Sequence, residues 1–159
     1  LGQATRIPRD FIVVGAGVIG LEYASMLAAL GIKVTVIDQR PAILDFVDHE
    51  IVETLNYHLR RQDSVFRLGE KVTTVGVNRR GQVQVELESG KRLRAEGLLY
   101  AAGRQANTDL LDLAAAGLEA DERGRIAVNE HFQSAVAHIY AAGDCIGFPS
   151  LAATSMEQG

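Results

Sequence analysis

The stretch VVGAGVIGLEYASMLAALGIKVTVIDQR, residues 13–40, constrains this chain more than any other. Gly15, Gly17 and Gly20 follow a short apolar run, 11–14. They precede Val18, Leu21, Met26, Leu27 and Leu30, which recur at roughly helical spacing until Gly31. A β-branched run, 34–37, comes next and ends against Asp38. A strand that enters a G-x-G-x-x-G turn, opens a helix and meets an acid about 20 residues later is the pattern of a βαβ dinucleotide site. In such a turn Gly15 permits the tight bend, Gly17 lets the backbone approach a pyrophosphate, and Gly20 lets the helix pack against the strand. The helix N-terminus offers free N–H groups and a positive dipole end to the anion. The expected fold class is therefore α/β, with a Rossmann-like NAD(P)-binding domain built on a parallel sheet.

Asp38 and Arg40 point to different nucleotides. A carboxylate at the end of the second strand accepts hydrogen bonds from the adenosine ribose hydroxyls, which selects NAD(H) and repels a 2′-phosphate. Arg40, two residues on, has the chemistry to pair with that same phosphate of NADP(H). A solvent-facing loop cation is an equally good reading of Arg40. If both side chains act, the site discriminates poorly between the two nucleotides.

Beyond this unit the pattern changes. Asp48 is placed to cap a helix with Ile51, Val52, Leu55 and Leu59 on its apolar face, and 65–68 reads as a third strand. The runs 71–78, 82–87 and 91–95 alternate apolar and polar around the turn sequences NRRG and ESGK, which predicts an antiparallel β-meander. Arg79 and Arg80 fall in its first turn and read as solvated. A buried strand is expected over 97–102, a short helix capped by Thr108 ending near Gly117, strands over 126–128 and 138–141, and a helix over 149–158 with Ser150 as its cap.

The visible residues supply no acid–base or metal chemistry. The residues four after Tyr23, Tyr57, Tyr100 and Tyr140 are Leu27, Arg61, Arg104 and Asp144, so no Tyr-x-x-x-Lys exists. The four histidines have no metal-ligand spacing. A net charge of −4 gives no reason to expect nucleic acid or an acidic membrane as partner. No apolar run reaches the length of a membrane span, and Cys145 alone cannot form an internal disulfide, so a cytoplasmic location is the expectation. Hydride transfer at this site needs a second cofactor.

HIYAAGDCIGFPSLAATSMEQG, residues 138–159, is where that cofactor enters. The run resembles the second FAD-contacting motif of the pyridine nucleotide-disulfide oxidoreductases, the family of glutathione reductase and lipoamide dehydrogenase. The resemblance implies that Gly143 and Asp144 contact FAD, with Asp144 bonding the ribityl chain. It also implies that Leu151 and Ala152 open a helix toward the flavin pyrimidine ring. GRQANT resembles the family's GRxPNT crossing, with Ala106 where the family has proline, which implies a place for Gly103 and Arg104 beside NAD(P). Glu22 matches the family's acid near the nicotinamide carboxamide, and Val18 stands where some relatives carry a tyrosine gate. No other catalytic residue is evident, and no metal site is expected.

Within the family, GLEYAS, LDFVDHEIVETLNYHLR, LLYAAGRQANTDLL and AGDCIGFPSLA resemble the soluble, FAD-dependent transhydrogenases. That implies an oxidoreductase, a flavoprotein that exchanges hydride between NADPH and NAD+ through FAD, with pyridine nucleotides as substrates. A lipoamide dehydrogenase-like disulfide reductase and a non-catalytic NAD(H)-binding module remain as alternatives. The domain reading is an incoming linker over 1–10, an NAD(P)(H)-binding domain over 11–106 and the closing segment of an FAD-binding domain over 107–159. The chain opens on Leu1 and stops at Gly159 inside a helical pattern, so it reads as an internal piece. Its partners are then the rest of its own polypeptide and, at full length, a homo-oligomeric copy. The fragment alone is expected to lack transhydrogenase activity.

Overall fold

The alternation of side chains along a buried strand decides how the first part of the chain is layered. The computed structural model describes residues 6–159. Strand β1, Asp10–Val14, sends Phe11 and Val13 to one face and Ile12 and Val14 to the other. Both faces must be covered, as parallel sheets require. On the first face helix α1, Val18–Ala29, and helix α2, His49–Arg61, pack Leu21, Ala24, Leu27, Val52 and Leu59 against Val34 and Val36. On the second face Val85, Leu87 and Ala95 close over Ile12, Val14 and Ile37.

The sheet that carries this core is four-stranded and parallel. Its order is β3–β2–β1–β7, with β2 Lys33–Asp38, β3 Val65–Leu68 and β7 Gly97–Tyr100. The covering layer on the second face is the expected meander, an antiparallel sheet of β4 Val72–Val77, β5 Val83–Leu87 and β6 Arg92–Ala95. Asn78 sets its first turn: the Asn78 Oδ1 accepts from the backbone N–H groups of Arg80 and Gln82. Arg79 and Arg80 are exposed there.

Helix boundaries follow local chemistry. Asp48 caps α2 by accepting from the Glu50 N–H at 2.9 Å. Of the four residues expected on its apolar face, Ile51 is instead 62% exposed, because the stripe facing the core is Val52, Leu55 and Leu59. Helix α1 differs more. Its apolar residues are not confined to one face: Val18, Met26 and the capping Leu30 turn outward beside Glu22, while Gly20, Leu21, Ala24, Leu27 and Ala28 are buried. Gly20, Ala24 and Ala28 let the helix approach the sheet closely between Leu21 and Leu27.

The chain divides into two compact units, one running to Gly103 and a second of Arg104–Gly159. In the second unit the expected strands over 126–128 and 138–141 do not form. Only the isolated bridges Ala120–Ile126 and Gln133–Tyr140 are present among the described residues, since a strand needs a ladder partner. Thr108 does not cap a helix: its hydroxyl donates to the Gly124 carbonyl at 2.6 Å, and the turn of helix at Leu113–Ala116 follows Asp112 instead. Ser150 does not cap α3, Ala152–Gln158, because its hydroxyl closes a turn onto the Gly147 carbonyl at 2.6 Å; Leu151 precedes the helix without a side-chain cap. Among the described residues no helix is long and apolar enough to cross a membrane.

Candidate functional site

The glycine turn leaves β1 and enters α1, and its three glycines are held for three different reasons. Gly15 has φ +107, and a Cβ there would fall on the Ala101 carbonyl oxygen. Gly20 lies against the Gly15 carbonyl oxygen, so any side chain would push helix and turn apart. Gly17 is different. A Cβ there meets only the Arg40 Nη2, at 3.9 Å, so the backbone faces open space where a ligand can approach it. That open cradle at a helix entrance is what a dinucleotide pyrophosphate needs.

Asp38 closes β2 beside this turn, and its carboxylate is fully engaged. Oδ2 accepts from the Ala16 N–H at 2.6 Å and from Arg40 Nη2 at 2.8 Å. Oδ1 accepts from the Arg40 N–H at 2.8 Å and from Arg40 Nε at 3.0 Å. Burial pushes the Asp38 carboxyl up, but the Arg40 guanidinium and the two backbone donors outweigh it and hold the group below its ordinary value. The Arg40 guanidinium is correspondingly raised, first by the hydrogen bond to Asp38. The side chains that pointed to different nucleotides therefore form one bidentate ion pair, Asp38 buried and Arg40 40% exposed. The sequence carries no signal for the pairing except their spacing of two.

The pair has a neighbour that sequence reasoning missed. Asp45 Oδ1 lies 4.0 Å from Arg40 Nη1, on the edge of the guanidinium that Asp38 does not use. Glu22 is exposed on α1, with its backbone carbonyl accepting from the Ser25 hydroxyl at 2.8 Å. Gly103 ends the first unit with φ +134 and nothing near its missing Cβ.

In the second unit the structure joins two residues assigned to different cofactors. Arg104 Nη2 reaches Asp144 Oδ2 at 2.8 Å. Gly143 has φ +83 and donates its N–H to the Gln158 side chain of α3 at 2.8 Å, tying the glycine-acid turn to that helix. Leu151 and Ala152, at the start of α3, are both exposed. Ala106, standing where the resemblance had proline, donates its N–H to the Arg123 carbonyl at 2.9 Å, a bond that proline cannot make. Cys145 is half-buried, with its thiol on the Ala142 carbonyl at 3.2 Å.

Residues 2–159 match the family model described as pyridine nucleotide-disulphide oxidoreductase. A soluble pyridine nucleotide transhydrogenase of Mycobacterium tuberculosis is 60% identical over 153 residues, covering 96% of this chain and 32% of that protein. One from Chromohalobacter salexigens is 49% identical over 152 residues, covering 96% of this chain and 33% of its own. The chain thus spans about a third of the length of the curated relatives it matches. Among solved structures, the HOCl-induced flavoprotein disulfide reductase RclA from Escherichia coli superposes with a TM-score of 0.87 at 31% identity, over 98% of this chain and 35% of that one. LpdA from Mycobacterium tuberculosis gives 0.91 at 26%, over 99% and 34%.

Proposed function

Because the chain belongs to the pyridine nucleotide-disulphide oxidoreductase family, we propose that it is the NAD(P)(H)-binding portion of a flavoprotein that exchanges hydride between NADPH and NAD+ through FAD. The observation that carries this reading is the ion pair of Asp38 and Arg40 beside the open face of Gly17. One site holds an acceptor for ribose hydroxyls and a cation for a 2′-phosphate, as a protein that takes both nucleotides in turn requires. The identity to transhydrogenases supports it.

Each residue then has a defined task. Gly17 and the N–H groups that open α1 receive the pyrophosphate, Asp38 and Arg40 receive the adenosine ribose, and Glu22 positions the nicotinamide carboxamide. Gly103 and Arg104 belong beside the nucleotide. Gly143, Asp144, Leu151 and Ala152 belong to the FAD side, where Arg104 engages one oxygen of the half-exposed Asp144. FAD, when bound, supplies a two-electron acceptor and donor. The rest of the polypeptide completes its site, and a second copy of the full-length protein completes the assembly. A cytoplasmic location fits these substrates.

The test is made on the full-length protein. It is expected to show a flavin absorbance band that NADPH bleaches and NAD+ restores. A colourless protein that binds NAD(H) would replace this reading with a non-catalytic nucleotide-binding module. The structural likeness to a flavoprotein disulfide reductase favours a second reading, reduction of a disulfide substrate. Thiol release from a disulfide at the expense of NADH, with no NADPH-to-NAD+ exchange, would establish that one.

A further inference from the structure

The ion pair at the end of β2 poses a problem for any nucleotide. A carboxylate offers about four acceptor positions, and all four on Asp38 are taken. Two of the donors cannot leave. The Ala16 N–H is fixed in the glycine turn, and the Arg40 backbone is tied across to β3's exit, where its carbonyl accepts from the Gly69 N–H at 3.0 Å. Only the Arg40 side chain, through Nε and Nη2, is free to move. A ribose diol therefore reaches Asp38 only when the guanidinium departs. A 2′-phosphate has the opposite need. It is repelled by a bare Asp38, and it is accepted best when the guanidinium neutralises that carboxylate and offers its remaining edge.

That remaining edge, Nη1, faces Asp45 at 4.0 Å. We propose that Arg40 is a two-position guanidinium shared between Asp38 and Asp45, and that Asp45 is a positioning residue that sets nucleotide selectivity. On Asp38 the guanidinium forms the state that takes a 2′-phosphorylated nucleotide. Drawn to Asp45, it uncovers Asp38 for an unphosphorylated ribose. Asp45 is 66% exposed on the loop between β2 and α2, so it holds Arg40 loosely and the position on Asp38 is the resting one. This rests on the nucleotide-site reading above and extends it: selectivity depends on a third residue that need touch neither nucleotide.

The experiment uses adenosine 5′-monophosphate and adenosine 2′,5′-bisphosphate, which differ only at the 2′ position and carry no nicotinamide. Their binding to the full-length, FAD-loaded protein is measured by calorimetry at low and high salt. Asp45→Asn removes the second position. It is expected to weaken the monophosphate by about two- to five-fold, the range of an exposed ion pair, and to tighten the bisphosphate only slightly, because the guanidinium already rests on Asp38. The shift should shrink at high salt, and Asp45→Glu should restore wild-type selectivity. In an Arg40→Ala background, Asp45→Asn should leave the monophosphate unchanged. Equal effects on the two ligands, or an effect on the monophosphate that survives Arg40→Ala, would overturn the proposal while leaving the nucleotide site intact. If wild type binds neither probe and neither NAD+ nor NADP+, the nucleotide-site reading itself falls, and this proposal with it.

Discussion

Each of the two units of this chain is stabilised internally, and by different forces. Among the described residues, every buried apolar side chain except Leu118 and Ile126 lies in the first unit, between its two sheets and its two long helices. The second unit has a seven-residue helix, two single turns of tighter helix and two isolated bridges. It exposes Leu110, Leu111, Tyr140, Phe148, Leu151 and Met156 by 59% or more. Its order comes from side chains that bond to nearby backbone: Thr108 to Gly124, Asp121 to Arg123 and Arg125, Gln133 to Ala137 and Ser150 to Gly147. Apolar burial of roughly 25 cal/mol per Å² stabilises the first unit without needing particular partners. Polar turns stabilise only the geometry in which they close.

The largest expected effect tests that contrast directly. Leu27, 2% exposed in the first core, should cost about 2–5 kcal/mol when changed to alanine. Leu110, 92% exposed in the second unit, should change stability by less than about 0.5 kcal/mol. Denaturant midpoints for the two variants check this. Equal losses would mean that the exposed residues of the second unit pack in a core of their own.

The contrast also explains what could be read from the sequence. The strands at 11–14, 34–37 and 65–68, the meander and the capped α2 were legible because each finds its ladder or core partner within the same unit. The strands expected over 126–128 and 138–141 were not, because apolar pattern implies a strand only where a neighbour exists to pair with it. At the site, the glycine turn was legible to the residue. Its meaning for Gly17 and Gly20 depended on what surrounds each missing Cβ. The Asp38–Arg40 pair and the approach of Asp45 were not legible, since a spacing of two residues does not say which way a guanidinium points.

A smaller effect separates position from chemistry within the first unit. Gly20→Ala puts a methyl against the Gly15 carbonyl, backbone that cannot step aside, and should destabilise by about 1–3 kcal/mol. Gly17→Ala points the same methyl into open space, so thermal stability should hold while nucleotide affinity falls. Thermal melts and NADH titration of both variants separate the two. A Gly17→Ala variant that binds NADH like wild type would remove the phosphate cradle from this turn.

The smallest effect belongs to the polar side of the comparison, at Asp121. Its Oδ1 accepts from the N–H groups of Arg123 and Arg125 at 2.8 and 2.9 Å, and its Oδ2 holds the Arg125 side chain at 2.7 Å. Arg125 in turn lies against Gly147, with its Nη1 3.2 Å from where a Cβ there would stand, and the next N–H, that of Ile126, reaches the Cys145 carbonyl at 2.8 Å. Asp121 thus braces the glycine-acid turn through one arginine. The Arg125 side chain, followed by the backbone donors, lowers the Asp121 carboxyl from its ordinary 3.8 to about 2. The folded form therefore holds its proton less tightly than the unfolded chain. What Asp121 contributes is complete above about pH 4 and is lost as the pH falls toward 2. Because the carboxylate is exposed, the contribution is small and screened by salt. Asp121→Asn should loosen the amides of Ile126 and Gly147 to hydrogen exchange at pH 6, and the difference from wild type should close as the pH approaches 2. A difference that persists unchanged at low pH would show that the side chain braces the turn by shape, not by charge.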